Sequence, residues 1–448
     1  MVAELPPAIA FMLSEFRGNK LGLSDVRRRL SDESFVRDFL DQCLAGIGTF
    51  KYADRLEARV DKFDVYAGHS LNPLSPDGKC RMPGCRVAYA HQFARNACLY
   101  ADRVVIPDPF SFTVDETTDE EMLVLLVVLK ILQPLLEAGI IVFGPAAAWS
   151  CSDCAKAIRE AEKQVMAQLW RVFKQTKPDV FRYKDGRRWH MSFGSPLFTS
   201  AGDELRITVP ATREAIAASK PDVVLTGKNA MDLVLHYRKF LRGHFAQCAQ
   251  GVVFSSHMGG SCNSTVATNT RVEAAGYRLL DRRKVGFAQP DWSLLRTVPL
   301  PALERLNALQ ALQVRKEAEK AMPAFRAMLQ RDLMSLENVS DDAEEKRALE
   351  VAAELRVAAR DLQGQLASLR LPSVRRSENL FVGLAIALEI VALSTGNPTA
   401  MLAVSGAFAS LMLAAHKSER DRQEKQEAFA HQPAYVLLTA ERIHGSRH

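Results

Sequence analysis

The residues suited to chemistry are few and widely spaced. Cys80 and Cys85 bracket Arg81 to Gly84, and Cys151 and Cys154 bracket Ser152 and Asp153. Four thiolates in two such pairs are the donor set of a tetrahedral structural zinc, and the spacing inside each pair is permitted. The 65 residues between Cys85 and Cys151 exceed what compact zinc modules separate. The competing reading leaves the four as unligated thiols that behave as small hydrophobes where buried. A redox role for Cys151 and Cys154 rests only on their nearness to a helix start, where a thiolate is favoured.

Asp108 and Asp115 follow a short β-branched run, Arg103 to Ile106. The carboxyl ends of strands are where α/β proteins gather ligands, and acidic residues there can hold a divalent metal, as in nucleases. The plainer reading makes Asp108 a turn residue between Pro107 and Pro109, and Asp115 part of a helix start. His257 with Gly259, Gly260, Ser261 and Cys262 reads as a glycine-rich loop able to cradle an anion, but no GxGxxG or GxxxxGK[ST] motif is present. Asp232, His236 and His244 recur along one expected helix, yet His236 and His244 lie two turns apart rather than at the i, i+4 spacing of a helical zinc pair. No GxSxG elbow, HExxH helix, kinase signature or catalytic carboxylate pair can be read from the chain.

Several elements must position these residues. Apolar residues recur at helical spacing from Ile9 to about Arg59, which predicts two or three short helices. Gly68 to Gly84, rich in Gly, Pro, Asn and Ser, reads as a loop carrying Cys80. Arg103 to Ile106, stopped by prolines, reads as a strand. Thr117, Thr118, Glu120 and Glu121 then start a long helix whose Met122 to Leu129 stretch is apolar all round, so it should be covered on every side. Pro134 should kink that helix and Gly139 end it. With Ile140 to Phe143 as a second buried strand, the three elements make a parallel βαβ crossover. A helix from about Ser152 to Lys174 follows. Asp185 and Gly186, between Phe181 to Tyr183 and Arg188 to Ser192, signal a β-hairpin. Leu205 to Val209 and Val223 to Leu225 read as strands, and about Asn229 to Cys248 as a helix.

Past Pro301 the chain turns to long charged helices, broken at Pro323 and around Asn338 to Asp342. Ala348, Ala352, Leu355, Ala359, Leu362, Leu366 and Leu369 alternate spacings of four and three, the seam of a coiled coil or the buried stripe of an amphipathic helix. Leu380 to Leu393 is apolar except for Glu389, and Ala400 to Ala415 carries no charge, with a turn at Ser394 to Thr399 between them. At about 1.5 Å per residue these segments reach roughly 21 and 24 Å, short of the roughly 30 Å hydrocarbon core of a bilayer. Arg370, Arg375 and Arg376 before the pair, and Lys417, Arg420 and Arg422 after it, favour lipid with both ends in the cytoplasm. Short length, Ala-rich composition and Glu389 favour a buried or oligomer-forming hairpin. Gly383 and Ala387 on one segment, with Gly406, Ser410 and Ala414 on the other, recur every fourth residue and allow close backbone approach.

The chain's 448 residues exceed one ordinary core, and 48% hydrophobic with 25% charged residues excludes a disordered or fibrous protein. A net charge of +6, from 58 basic and 52 acidic residues, is too slight to indicate nucleic acid. Eight cysteines are too few for a disulfide scaffold, and the opening residues lack a secretory pattern, so a cytoplasmic setting is expected.

The expected fold class is α+β, predominantly helical. It comprises N-terminal helices over 1–67, an α/β body with the βαβ unit and β-hairpin over 68–295, and a helical region over 296–448 with the apolar hairpin at 380–415. The expected function is that of a bacterial-type interaction or effector protein, of the general kind used in phage defence. Its hairpin would mediate self-association, engage a protein partner, or place the protein peripherally or integrally at the inner membrane. The alternative is a metal-dependent nuclease or hydrolase using Asp108 and Asp115. A structural zinc is the one cofactor the residues point to.

Overall fold

The computed structural model describes residues 5–17, 22–49, 63–75, 82–110, 118–144, 152–173, 227–268, 270–280, 305–334, 341–369 and 427–445, with residues 303 and 424 and strands at 177–182, 188–194, 207–210, 223–225 and 292–294. The chain divides into two compact units, 1–312 with 329–351, and 313–328 with 352–448. It is mostly helical, with its parallel sheet in the first unit.

The expected βαβ crossover is present as β2 (Arg103–Pro107), α5 (Asp119–Glu137) and β3 (Ile141–Gly144), the strands pairing parallel from Val104 opposite Ile141 to Pro107 opposite Gly144. α5 begins with a capping box, the Thr118 hydroxyl accepting from the Glu121 N–H at 3.2 Å while the Thr118 N–H donates to Glu121 Oε2 at 3.4 Å. Met122, Val124, Leu125, Leu126, Val128 and Leu129 are buried, as expected of a helix apolar all round. Gly139, at φ +66°, takes the left-handed turn that ends the helix, and the Ile140 N–H returns to Leu135 O at 2.9 Å.

The sheet extends well beyond this crossover. β1 (Asp64–Ala67) pairs parallel with β2 on one side and with β8 (Thr265–Thr268) on the other, and β9 (Trp292–Leu294) lies beyond β8. The order is β3-β2-β1-β8-β9, all parallel. All four residues of β1 are buried, as a strand covered on both faces requires. Asp64 lies opposite Arg103 in register and forms an ion pair with it, and Asp102 Oδ2 accepts from the Phe63 N–H at 2.9 Å, so the amino ends of β1 and β2 are joined by charge.

The covering helices form two sets. α4 (Pro83–Tyr100), between β1 and β2, packs on α5. α6 (Ser152–Phe173) packs on α8 (Arg238–Ser261), which lies on β1 and β8, and α9 (Arg271–Leu279) packs on α8, α6 and β9. The chain steps from β1 to β2 to β3 in one direction and from β8 to β9 in the other. Right-handed crossovers therefore put the two sets on opposite faces of a doubly wound sheet.

Between α6 and α8 the chain builds a second, antiparallel sheet, β6 (Ile207–Pro210), β5 (Arg188–Gly194), β4 (Lys177–Arg182) and β7 (Val223–Leu225), in that order. β4 and β5 flank the Asp185 and Gly186 turn signal. α7 (Gly227–His236) packs on β4 and ends before Tyr237, so the single helix expected from Asn229 is two. The glycine-rich loop expected at His257 to Cys262 is instead the last turn of α8. The buried face of Phe245, Ala249, Val252, Val253 and Met258 carries the helix through Gly259 and Gly260.

Of the N-terminal helices, α1 (Pro7–Glu15) and α3 (Glu33–Thr49) share an aromatic cluster of Phe11, Phe16, Phe35 and Phe39, and α2 (Leu23–Leu30) reaches it through Arg29, which lies over the Phe35 ring. Phe39 meets Phe110, just past β2, edge-on at 5.1 Å, and Arg27 pairs with Asp119 and Glu120 at the start of α5.

In the second unit, Val314 of α10 (Ala308–Glu317), Ala318 in the turn after it, and Met322 and Phe325 of α11 (Met322–Met334) are buried, as are Val436, Leu437, Ala440 and Ile443 of α13 (Ala434–Gly445). α12 (Asp341–Leu369) buries Ala352, Leu355, Ala359 and Leu362, the heptad positions, within this chain, and exposes Val357. That burial is what an amphipathic helix needs without a partner coil. No helix among the described residues is long and apolar enough to cross a membrane. The segment 380–415, with Gly383, Ala387, Glu389, Gly406, Ser410 and Ala414, lies outside the described residues.

Two substitutions on α5 separate capping from packing. Thr118→Ala should lower stability by about 1 kcal/mol through the lost cap, and Leu132→Ala by about 2–5 kcal/mol through a core cavity, read from urea midpoints.

Candidate functional site

Open doubly wound sheets bind ligands in the crevice outside the carboxyl ends of the strands where the order reverses. Here that place lies between β1 and β8. Gly68, His69 and Ser70 leave β1, and Thr268, Thr270 and Glu273 leave β8 toward α9.

Glu273 organises this edge. Its side chain is 4% exposed and accepts from the Ser70 N–H at 2.8 Å, the Ser70 hydroxyl at 2.7 Å and the Thr268 hydroxyl at 2.7 Å. Thr270, the N-cap of α9, accepts from the Glu273 N–H at 3.4 Å, and its own N–H donates to Thr268 Oγ1 at 3.2 Å. The Gly68 N–H continues the β1–β8 ladder by donating to Ala267 O at 2.7 Å. A carboxylate buried this deeply is tolerated because hydrogen bonds satisfy it and because it stands in the first turn of a helix, at the positive end of the helix dipole.

The loop after β1 is held from a second side. Tyr89 of α4 donates to Leu71 O at 2.9 Å, Asn72 Oδ1 accepts from the Leu74 N–H at 3.0 Å, and Arg86 Nη2 donates to Leu74 O at 3.4 Å. From the α8 side, Gly251 lets His69 approach: a Cβ on Gly251 would stand 2.9 Å from His69 Cβ. Burial first, and the charge of Glu273 second, push the Tyr277 phenol and the Cys248 thiol well above their ordinary values, so both are neutral at physiological pH. The result is a fixed polar rim around an edge of the sheet. The Ser70 hydroxyl is committed to the Glu273 carboxylate, which accepts three of these bonds.

The residues singled out in the sequence fall elsewhere. Asp108 follows β2 and is 2% exposed, with Oδ1 accepting from the Phe110 N–H at 2.9 Å and its own N–H donating to Gly144 O at 3.0 Å. These are the bonds of a side-chain-stabilised turn. Burial, with the Asp108 charge second, pushes the Cys43 thiol up to about 12. Asp115, Cys80 and Cys151 lie outside the described residues, as does the side chain of Cys154, which stands in the first turn of α6. Cys85 is exposed in the first turn of α4. Among the described residues no group of three or more His, Cys, Asp or Glu is placed to hold a metal ion. Asp232 and His236 are exposed on α7, apart from α8, which carries His244. Burial lowers the His257 pKa, leaving a neutral imidazole.

Sequence reasoning missed Ser70, Thr268 and Glu273. The available signal was Thr270-Arg271-Val272-Glu273, a Thr-x-x-Glu helix start directly after the β-branched Thr265 to Thr268.

Gly68→Ala tests the rim. Its Cβ would stand 2.6 Å from Ala267 O, a backbone atom that moves only if β1 and β8 part. The expected loss is roughly 1–3 kcal/mol. Gly84→Ala, with nothing within 4 Å, should leave stability unchanged or raise it. Thermal unfolding of both variants checks the contrast. No known family model, curated protein or solved structure matches this chain.

Proposed function

We propose that this is an interaction protein whose doubly wound body binds a small polar ligand in the crevice beyond β1 and β8, and whose C-terminal apolar segments at 380–415 carry self-association. The observation that supports the first half most directly is the strand order, which reverses at β1 and β8 where Glu273, Ser70 and Thr268 fix the polar rim. The second half rests on two uncharged or nearly uncharged segments with small residues every fourth position: Gly383 and Ala387, then Gly406, Ser410 and Ala414. A hydrolase centred on Asp108 has less support, because that carboxylate is buried in a turn.

Truncation before the apolar segments would also remove α13, whose Val436, Leu437 and Ala440 are core. The test therefore uses the full chain with Leu384→Glu and Phe408→Glu. Light scattering should show the unaltered chain as a discrete oligomer and the double variant as a smaller species with unchanged helix content. Equal masses would contradict self-association. Pelleting of only the unaltered chain with membranes, reversed by detergent, would replace self-association with membrane insertion of 380–415, with Glu389 as a pore or pairing residue.

A further inference from the structure

Arg86 is a buried cation near the carboxyl edge of the sheet whose donors the loop after β1 uses only in part. It is the fourth residue of α4, the helix that leaves β1 at the point where the strand order reverses. Only 5% of it is exposed, its Nε is buried with no hydrogen-bond partner, and its Nη2 makes a single long bond, 3.4 Å, to Leu74 O. No carboxylate among the described residues forms an ion pair with it.

A guanidinium carries five donors and keeps its proton, so burying it with one long bond is costly unless an anion completes the set. Its direction is set by the helix. Cα–Cβ bonds tilt toward a helix N-terminus, so a side chain in the second turn lies back over the first, and the contact with Leu74 in the preceding loop agrees. There the positive end of the α4 dipole lies beside it, and the guanidinium itself supplies the free donors, since Pro83 has no N–H and the Arg86 N–H is taken by Met82 O at 3.2 Å. The first turn of α5, which packs on α4, ends at the same edge, and the charge of Glu121 acts on Arg86 from there without pairing with it.

We propose that Arg86 and the first turn of α4 form a site for a phosphoryl group, so that the small polar ligand of the crevice is a phosphorylated one. The proposal rests on the crevice reading above and adds the chemical class. The phosphate oxygens would take the donors that Leu74 O leaves unused, and a bidentate arrangement suits a guanidinium better than an ammonium.

The test titrates the full chain calorimetrically with inorganic phosphate, pyrophosphate and ADP. The unaltered protein should bind pyrophosphate or ADP, and Arg86→Gln should weaken that binding at least about tenfold, the ratio set by one charge-assisted hydrogen bond. Arg86→Lys should lie between the two. Glu121→Gln, which keeps a capping side chain and removes the opposing charge, should tighten binding a few-fold and guards against a folding artefact at Arg86. ADP binding far more tightly than pyrophosphate assigns a nucleotide as the source of the phosphoryl group. Equal affinities assign the phosphoryl group alone.

Absence of binding for all three probes, unchanged affinity in Arg86→Gln, or no tightening in Glu121→Gln would overturn the proposal. If ADP binds and Gly68→Ala weakens it while Arg86→Gln does not, the crevice reading stands and the phosphoryl site falls. If Arg86→Gln abolishes binding and Gly68→Ala leaves it unchanged, the phosphoryl site stands and the crevice reading falls.

Discussion

The buried carboxylate of Glu273 joins the two halves of the parallel sheet at the point where its winding changes direction. β1 feeds one half and β8 the other; two hydrogen bonds from Ser70 to this side chain cross-link their carboxyl ends, and a third, from Thr268 on its own side, fixes its orientation. Each bond to an ionised acceptor in a dry setting is shorter and stronger than a neutral one. Losing any of the three would leave a buried charge short of donors, so the arrangement acts as a unit. The loop after β1 is therefore placed by β8 and α9, elements some two hundred residues away in sequence.

That placement decides what the surrounding residues can do. With Ser70 and Thr268 committed to Glu273, and Tyr89 and Asn72 holding the following turn, the edge is rigid where a binding crevice needs to be rigid. The other three corners are built by different means. Asp64 and Arg103 join β1 to β2 by charge at the opposite end, the α5 capping box fixes the next crossover, and Phe39 on Phe110 attaches the N-terminal helices. Each device satisfies a group that folding would otherwise strand: a charge, a helix end or an aromatic face.

How much of this was legible in the sequence follows from how each element declares itself. The β2–α5–β3 crossover was readable because its helix is apolar all round and its Thr118 and Glu121 announce the start. The antiparallel hairpin was readable from Asp185 and Gly186. β1 and β8 were not, since Val65-Tyr66-Ala67 and Thr265 to Thr268 are too short to show a period, and only their pairing reveals them as central strands. α4 escaped because its apolar and polar residues are mixed around the helix, with Arg86 among the buried ones. Reading His257 to Cys262 as a loop followed glycine content and overlooked the buried face of α8. The clamp could not be found at all from local pattern, because Ser70 and Glu273 meet only through the topology. Asp108 was rightly placed at a strand end, and its partners make it a turn.

Hydrogen exchange of the full chain addresses the clamp itself, comparing the unaltered protein with Glu273→Gln, whose amide turns a donor toward Ser70 and Thr268. The segment around Gly68 and Ser70 should exchange slowly in the unaltered chain and clearly faster in the variant, with α5 unchanged. Equal, fast exchange of that segment in both proteins would contradict the claim that Glu273 holds the edge of the sheet.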